Sequence, residues 1–192
     1  MSAPVLRAIF LADGPDFVTS PILFARLSFG GIAGDRHAGL TRKSCARTPW
    51  HTRGTKIANT RQLSILSVEE CREIAALLAV EKIDPRLLGG NFLTEGIPAL
   101  SALPPGTRLK FPSGATVFIT EENHPCHQPA RKIAEAFDAP NLRAGFSRAA
   151  TGRRGLVALV EREGDVAAGD AIEILSVPAR RPPIPVTVGE RV

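Results

Sequence analysis

The chain has 192 residues, 44% apolar and 22% charged, with a formal net charge of +5; this is enough for one domain with a full core, and no apolar run nears the ~20 residues that span a membrane. Three cysteines without close pairing, and an N-terminus lacking the basic and long apolar regions of a signal peptide, fit a reducing cytoplasm better than a disulfide scaffold. The basic balance suits an anionic ligand, while the absence of Tyr and the few other aromatics argue against a base-stacking nucleic-acid surface.

Val5 to Leu11 reads as a strand, Asp13-Gly14-Pro15-Asp16 as a turn, and Ile22 to Phe29 as a second strand. Gly30-Gly31-Ile32-Ala33-Gly34-Asp35-Arg36-His37-Ala38-Gly39 holds four glycines, so the backbone there turns sharply or approaches something closely. Either Asp35 and Arg36 pair locally, or the turn presents Arg36 and His37 to an anion. From Arg26 to Arg61 there are eight Lys or Arg against one acid, Asp35. Thr41 to Thr60 shows neither helical nor strand period and reads as a long basic loop, of the kind that grips phosphate through guanidinium groups. Cys45, in this loop, is expected to be accessible to alkylation but dispensable.

Arg61-Gln62-Leu63-Ser64-Ile65-Leu66 alternates as a strand does. Ser67 and Glu70 then form a capping-box pattern, opening a helix with Cys71, Ile74 and Ala75 on its core face. Leu88-Gly89-Gly90-Asn91 is a turn entering a strand, in which Asn91 is either a turn residue or a ligand contact. Thr107 to Glu121 reads as a hairpin around Pro112-Ser113-Gly114. A short helix follows Pro140-Asn141, and the last strands run from Gly155 to Val160 and from Asp170 to Leu175. Short strands outnumber helices, which predicts a mainly β protein, a β-barrel with peripheral helices. The expected domain is 1–177, with a Pro-rich extension over 178–192.

Asn123-His124-Pro125-Cys126-His127-Gln128-Pro129 is the stretch richest in chemistry. It lies between the strand ending near Glu121 and a helix expected to begin near Pro129, with Ala130, Ile133, Ala134 and Phe137 at helical spacing. Cys126 therefore falls on a strand-to-helix turn, ahead of a helix N-terminus that favours a thiolate or a bound anion. The bland alternative is a buried structural cysteine. A zinc site from His51, His124, Cys126 and His127 is a further alternative, weakened because adjacent Cys126 and His127 point apart and no Cys-x-x-Cys exists.

Taken in order, Gly34 to Gly39, Arg61 to Ser67, Leu88 to Asn91, Leu103-Pro104-Pro105-Gly106, Asn123 to Cys126, and Arg154-Gly155 through Gly169-Asp170 resemble the MOSC domain family, named for the C-terminal domain of molybdenum cofactor sulfurase. The resemblance covers about residues 5 to 176 and is strongest to the short stand-alone bacterial members. It implies a mixed β-barrel similar to the barrel domain of pyruvate kinase, and a cysteine that handles sulfur or ligates molybdenum. Carried over, it implies that Cys126 reacts and ligates the metal, helped by His124 and His127. The molybdenum cofactor, molybdopterin, would then be held by Arg36, His37, Arg61, Gln62, Asn91, Asn123 and Arg154. Larger relatives carry a pyridoxal-phosphate domain for which this chain has no room, so pyridoxal phosphate is not expected to bind directly. The implied activities are reduction of N-hydroxylated compounds, which needs an electron-transfer partner, or sulfur delivery to metal centres, which needs a sulfur-donor protein. A non-catalytic cofactor carrier is the alternative.

Overall fold

Alternation of apolar and polar residues organises the chain into many short strands, as seen in the computed structural model, which describes residues 3–175. They are β1 (Val5–Leu11), β2 (Ser20–Ile22), β3 (Phe24–Ser28), β4 (Gly31–Ile32), β5 (Thr41–Lys43), β6 (Lys56–Ala58), β7 (Leu63–Ser67), β8 (Phe92–Glu95), β9 (Arg108–Lys110), β10 (Thr116–Glu122), β11 (Leu156–Arg162), β12 (Gly164–Ala167) and β13 (Glu173–Leu175). Three α-helices accompany them: α1 (Val68–Leu77), α2 (His127–Ala136) and α3 (Leu142–Ala150). The protein is mainly β with a few helices, as expected. The Pro-rich extension proposed for 178–192 lies outside the described residues.

The largest sheet orders eight strands as β13-β9-β10-β11-β7-β8-β1-β2, all antiparallel except the parallel pair β7–β8. Its two faces bury different cores. Leu6, Ile9, Ile65, Phe92, Leu109 and Val117 pack on one face; Leu66, Ile74, Leu88, Ile133 and Phe146 fill the other, beneath the three helices. Ser64 alternates with Leu63 and Ile65, so it faces the helical side, as does Leu66.

The expected closed barrel is not formed as a continuous ladder among the described residues. β13 and β2 are the edges of the sheet, joined indirectly where residues 169–171 bond to β1. Leu6 N donates to Asp170 O at 2.8 Å, Gly169 N donates to Leu6 O at 2.7 Å, and Val5 bridges Ala171. The run then turns away to pair with β9.

Two expectations need correction. The stretch from Thr41 to Thr60 is not a structureless loop: β5 and β6 pair over three positions, Thr41 with Ala58 to Lys43 with Lys56, making a ribbon with a turn-rich tip. The strand expected from Ile22 to Phe29 breaks at Leu23, and β2 pairs with β1 while β3 pairs with β12. Elsewhere, α1 keeps only half of its capping box. Ser67 Oγ accepts from Glu70 N at 3.2 Å, but the Glu70 carboxylate accepts from Ser101 N and Oγ at 2.6 and 2.9 Å instead of returning to the cap.

Gly155 immediately precedes β11 with φ +78°, and a Cβ there would fall on the carbonyl oxygen of Ile65 in β7. Its own amide donates to Ser101 Oγ at 2.8 Å and its carbonyl accepts from Asn123 N at 2.9 Å. Only glycine allows that conformation together with that approach.

Candidate functional site: a thiol beside an arginine cluster

The pairing of Glu122 with Leu156 places the end of β10 beside the start of β11. The loop Asn123–Cys126 therefore leaves the sheet next to Arg154-Gly155. Cys126 is the N-cap of α2, extended at φ −141°, with no capping hydrogen bond from its side chain. The helix starts at His127, two residues before the expected start at Pro129. Cys126 is partly exposed, and no hydrogen bond is made to its Sγ among the described residues. The first helical turn carries backbone amides at His127 and Gln128 but none at Pro129, and free amides at a helix start are donors of the kind that stabilise an anion.

Asn123 is buried and anchors this loop. Its Nδ2 donates to Ser64 Oγ at 3.0 Å, and its Oδ1 accepts from Arg61 Nη2 at 3.1 Å. Arg61 also pairs with Glu121 through Nη1 at 2.7 Å. Burial lowers the Arg61 pKa from its ordinary value; Glu121 acts against that, while Arg47 and Arg42 reinforce it. Three guanidinium groups thus crowd one region.

Arg154 is the fourth. It is 4% exposed, Nη2 donates to the Leu88 carbonyl, and Nη1 is buried with no hydrogen-bond partner among the described residues. Burial lowers its pKa to about 10; the thiols of Cys126 and Cys71 act against this, and Arg47 and Arg61 act with it. At neutral pH Arg154 is still a cation, and a buried cation with an unsatisfied N–H is costly unless an anion meets it.

The β5–β6 ribbon brings the remaining pieces. Arg47 extends from its tip so that Nη1 and Nη2 both donate to the His124 carbonyl at 3.4 Å. Arg42 Nη1 lies 3.7 Å from Cys45 Sγ, and Arg42 Nε is buried without a partner among the described residues. The Cys45 thiol is held below its ordinary pKa, chiefly by the Arg47 amide, against burial, and with help from Arg42. The third thiol, Cys71, faces the core from α1, where burial pushes it up to about 12.

The other residues expected to bind cofactor are placed differently. Asn91 is fully buried and occupied: Nδ2 donates to Asp35 Oδ2 at 2.6 Å and to Phe10 O at 3.3 Å, and Oδ1 accepts from Ser64 N at 3.0 Å. Gln62 is likewise a stitch, donating to Phe29 O at 2.7 Å and accepting from Val160 N at 2.9 Å. His37 packs its Nδ1 against Asp35 Oδ1 at 2.7 Å, while exposed Arg36 donates to the Asp16 carbonyl. The local partner of Asp35 is therefore His37, not Arg36.

Both imidazoles near Cys126 belong to exposed residues. His124 lies 3.8 Å from Glu122, and neither ring is hydrogen-bonded to the thiol. The zinc alternative from His51, His124, Cys126 and His127 is not met, since no three His, Cys, Asp or Glu side chains sit together as a metal site among the described residues. An apolar cavity of about 380 Å³ outside α1 has Cys71, Ala75, Val80 and Ile83 in its wall but neither Cys126 nor Arg154. No helix among the described residues is long and apolar enough to cross a membrane.

Sequence reasoning missed Ser64 as the acceptor that fixes Asn123 and Glu121 as the partner of Arg61. The strand alternation that turns Ser64 toward the same face as Leu66 was the available signal.

Comparison with known proteins gives consistent results. Residues 51–173 match the model of the MOSC domain. The chain is 46% identical over 171 residues, 88% of its length, to a Bacillus subtilis (strain 168) protein named "Putative metal-sulfur cluster biosynthesis proteins YuaD", of which 89% is covered. The crystal structure of the YuaD protein from Bacillus subtilis superposes with a TM-score of 0.89 at 44% identity, covering 92% of this chain and 97% of that one. Two YiiM crystal structures share the fold alone. That from Geobacillus stearothermophilus has a TM-score of 0.59 at 13% identity, covering 90% and 75% of the two chains. That from Escherichia coli has 0.60 at 16%, covering 92% and 72%.

Proposed function

Because the chain belongs to the MOSC domain family, we propose that it binds a molybdenum pterin cofactor at the Cys126–arginine cluster and carries sulfur for metal–sulfur cofactor assembly. One observation carries this: the buried Nη1 of Arg154, unpartnered among the described residues, within electrostatic range of Cys126. A phosphorylated pterin dithiolene fits this donor set. Arg154, Arg47 and Arg61 offer cationic N–H groups to phosphate, and Cys126 offers the soft ligand that molybdenum accepts. When bound, the cofactor would supply a redox-active metal centre.

The chain's own residues do the rest. Asn123, held by Ser64 and Arg61, fixes the loop that carries Cys126. The first turn of α2 stabilises negative charge ahead of the thiol. Arg154 holds positive charge away from water, where it acts more strongly on an anion than a surface arginine does. The name of the Bacillus subtilis relative supports the sulfur-carrying part of the reading. The near-closure of the sheet at Val5 and Ala171 supports treating it as an open relative of the mixed barrel.

The test uses protein purified from a host that makes the cofactor, with molybdenum measured by mass spectrometry and pterin by fluorescence. Wild type should retain both. Arg154→Gln and Arg61→Gln should weaken retention by about one to two decades, the loss of a charge-assisted hydrogen bond worth roughly 1.5–3 kcal/mol. Wild-type protein that holds neither metal nor pterin would sink the cofactor reading. The second reading, reduction of N-hydroxylated compounds, is favoured by a Cys126 thiol with no hydrogen bond among the described residues and so open to a metal. Steady turnover of an N-hydroxylated purine with an electron-donor protein would establish it; stoichiometric sulfur transfer would favour the carrier.

A further inference from the structure

Cys45 is not one of the residues that the family resemblance picks out, and its sequence context makes it look dispensable. Its surroundings argue otherwise. It is partly exposed near the tip of the β5–β6 ribbon, with Arg42 Nη1 at 3.7 Å from its sulfur. Arg47 links it to the site: its amide acts on Cys45, while its guanidinium ends on the carbonyl of His124, two residues before Cys126. The two thiol-bearing segments are thus tied by a single side chain.

A second observation points to an anion here. Two buried guanidinium atoms have no hydrogen-bond partner among the described residues, Nε of Arg42, whose Nη1 reaches Cys45, and Nη1 of the buried Arg154, within electrostatic range of Cys126. Each is an N–H donor still free for a negatively charged group. Cys71 is no competitor, being buried in the helical core.

We propose that Cys45 is a second sulfur-accepting thiol, which takes sulfane sulfur from a persulfide donor and passes it to Cys126; this rests on the sulfur-carrying reading above. In the first step the Cys45 thiolate attacks the outer sulfur of R–S–SH. The donor S–S bond breaks, R–S⁻ leaves with the electron pair, and Cys45–S–SH forms. In the second step the Cys126 thiolate attacks that outer sulfur, giving Cys126–S–SH and regenerating the Cys45 thiolate. Sulfur moves at constant oxidation state, so no oxidant or reductant is consumed. Arg42 and the Arg47 amide stabilise Cys45 both as nucleophile and as leaving group.

The experiment treats the full chain with glutathione persulfide, quenches at intervals by alkylation, and maps each thiol by peptide mass spectrometry. In wild type the added sulfur should appear first on Cys45 and then on Cys126. In Cys126→Ser it should stay on Cys45. In Cys45→Ser, loading of Cys126 should slow by about tenfold or more. Arg42→Gln should slow alkylation of Cys45 by iodoacetamide without affecting that of Cys126, which a merely structural Arg42 would not do. Protection of Cys71 from alkylation confirms that each variant is folded. Loading of Cys126 at the wild-type rate in folded Cys45→Ser overturns the relay and leaves the function above standing. Failure of Cys45 alone to load in wild type likewise overturns only the relay, and failure of both thiols to load overturns both readings.

Discussion

Asp35 ties together three separate segments of the chain, through Ala12, His37 and Asn91. Its Oδ2 accepts from Ala12 N at 2.8 Å and from Asn91 Nδ2 at 2.6 Å, and its Oδ1 accepts from His37 N at 2.8 Å. Burial by itself would raise its pKa, but the hydrogen bonds from the His37 side chain and from the Ala12 and His37 amides more than offset this and hold it below the ordinary 3.8. The folded carboxylate therefore keeps its charge to lower pH than the unfolded one. Its contribution to stability is complete above the ordinary value and lost as pH falls through the folded one. Asp35→Asn should accordingly flatten the acid limb of a denaturation profile followed by circular dichroism; an unchanged acid limb would show that other carboxylates govern it. The sequence revealed a tight polar turn here, but Asp35, His37 and Asn91 meet only in three dimensions. For the same reason Arg154 could be named, whereas its burial and unpaired atom could not. These depend on Leu88 and on the helices that cover it.

Among the elements, those with strong local signals were legible and those made by pairing were not. The three helices emerged from caps and apolar spacing, with errors of a residue or two at their starts. The β5–β6 ribbon did not, because three-residue polar strands have too little alternation to register, and their order comes from each other. The Glu70 carboxylate was assigned to the α1 cap but binds Ser101, since a burial-driven network overrode the local motif. Two stability measurements check this level. Ser67→Ala should cost about 1 kcal/mol through loss of the remaining cap bond to Glu70 N. Phe146→Ala, which empties the fully buried centre of α3, should cost about 3–5 kcal/mol. Urea unfolding that ranks them in the opposite order would mean that the helical layer is less tightly packed than its burial implies.

At the scale of the whole molecule, charge is distributed unevenly. Eight of the basic residues fall between Arg26 and Arg61, and the one acid among them, Asp35, is buried and paired. The ribbon side therefore presents positive charge to water, and part of the arginine cluster is open to salt. Phosphate-bearing ligands should bind progressively more weakly as ionic strength rises and the screening length falls below about 10 Å. Arg47→Gln should reduce that salt dependence in a calorimetric titration with a pterin phosphate. Arg154→Gln should instead lower affinity at every salt concentration, because its guanidinium is shielded from ions. Equal salt slopes for wild type and Arg47→Gln would place the phosphate away from the ribbon.

Gly155 has a consequence for genetics. It contacts no ligand in the reading above, yet it sets the spacing between β7 and β11 and accepts the amide of Asn123. It also precedes the strand on which the position of Arg154 depends. In a random-mutagenesis screen for loss of function, Gly155→Ala should score with the replacements of Cys126 and Arg154. A side chain there displaces the Ile65 carbonyl and shifts the thiol loop together with the cation. An analysis that treats every inactivating position as a contact would then enlarge the binding site by a residue that only shapes it. Soluble expression with normal helical content but lost anion binding would identify Gly155→Ala as a lesion of shape, distinct from the chemical lesions at Cys126 and Arg154.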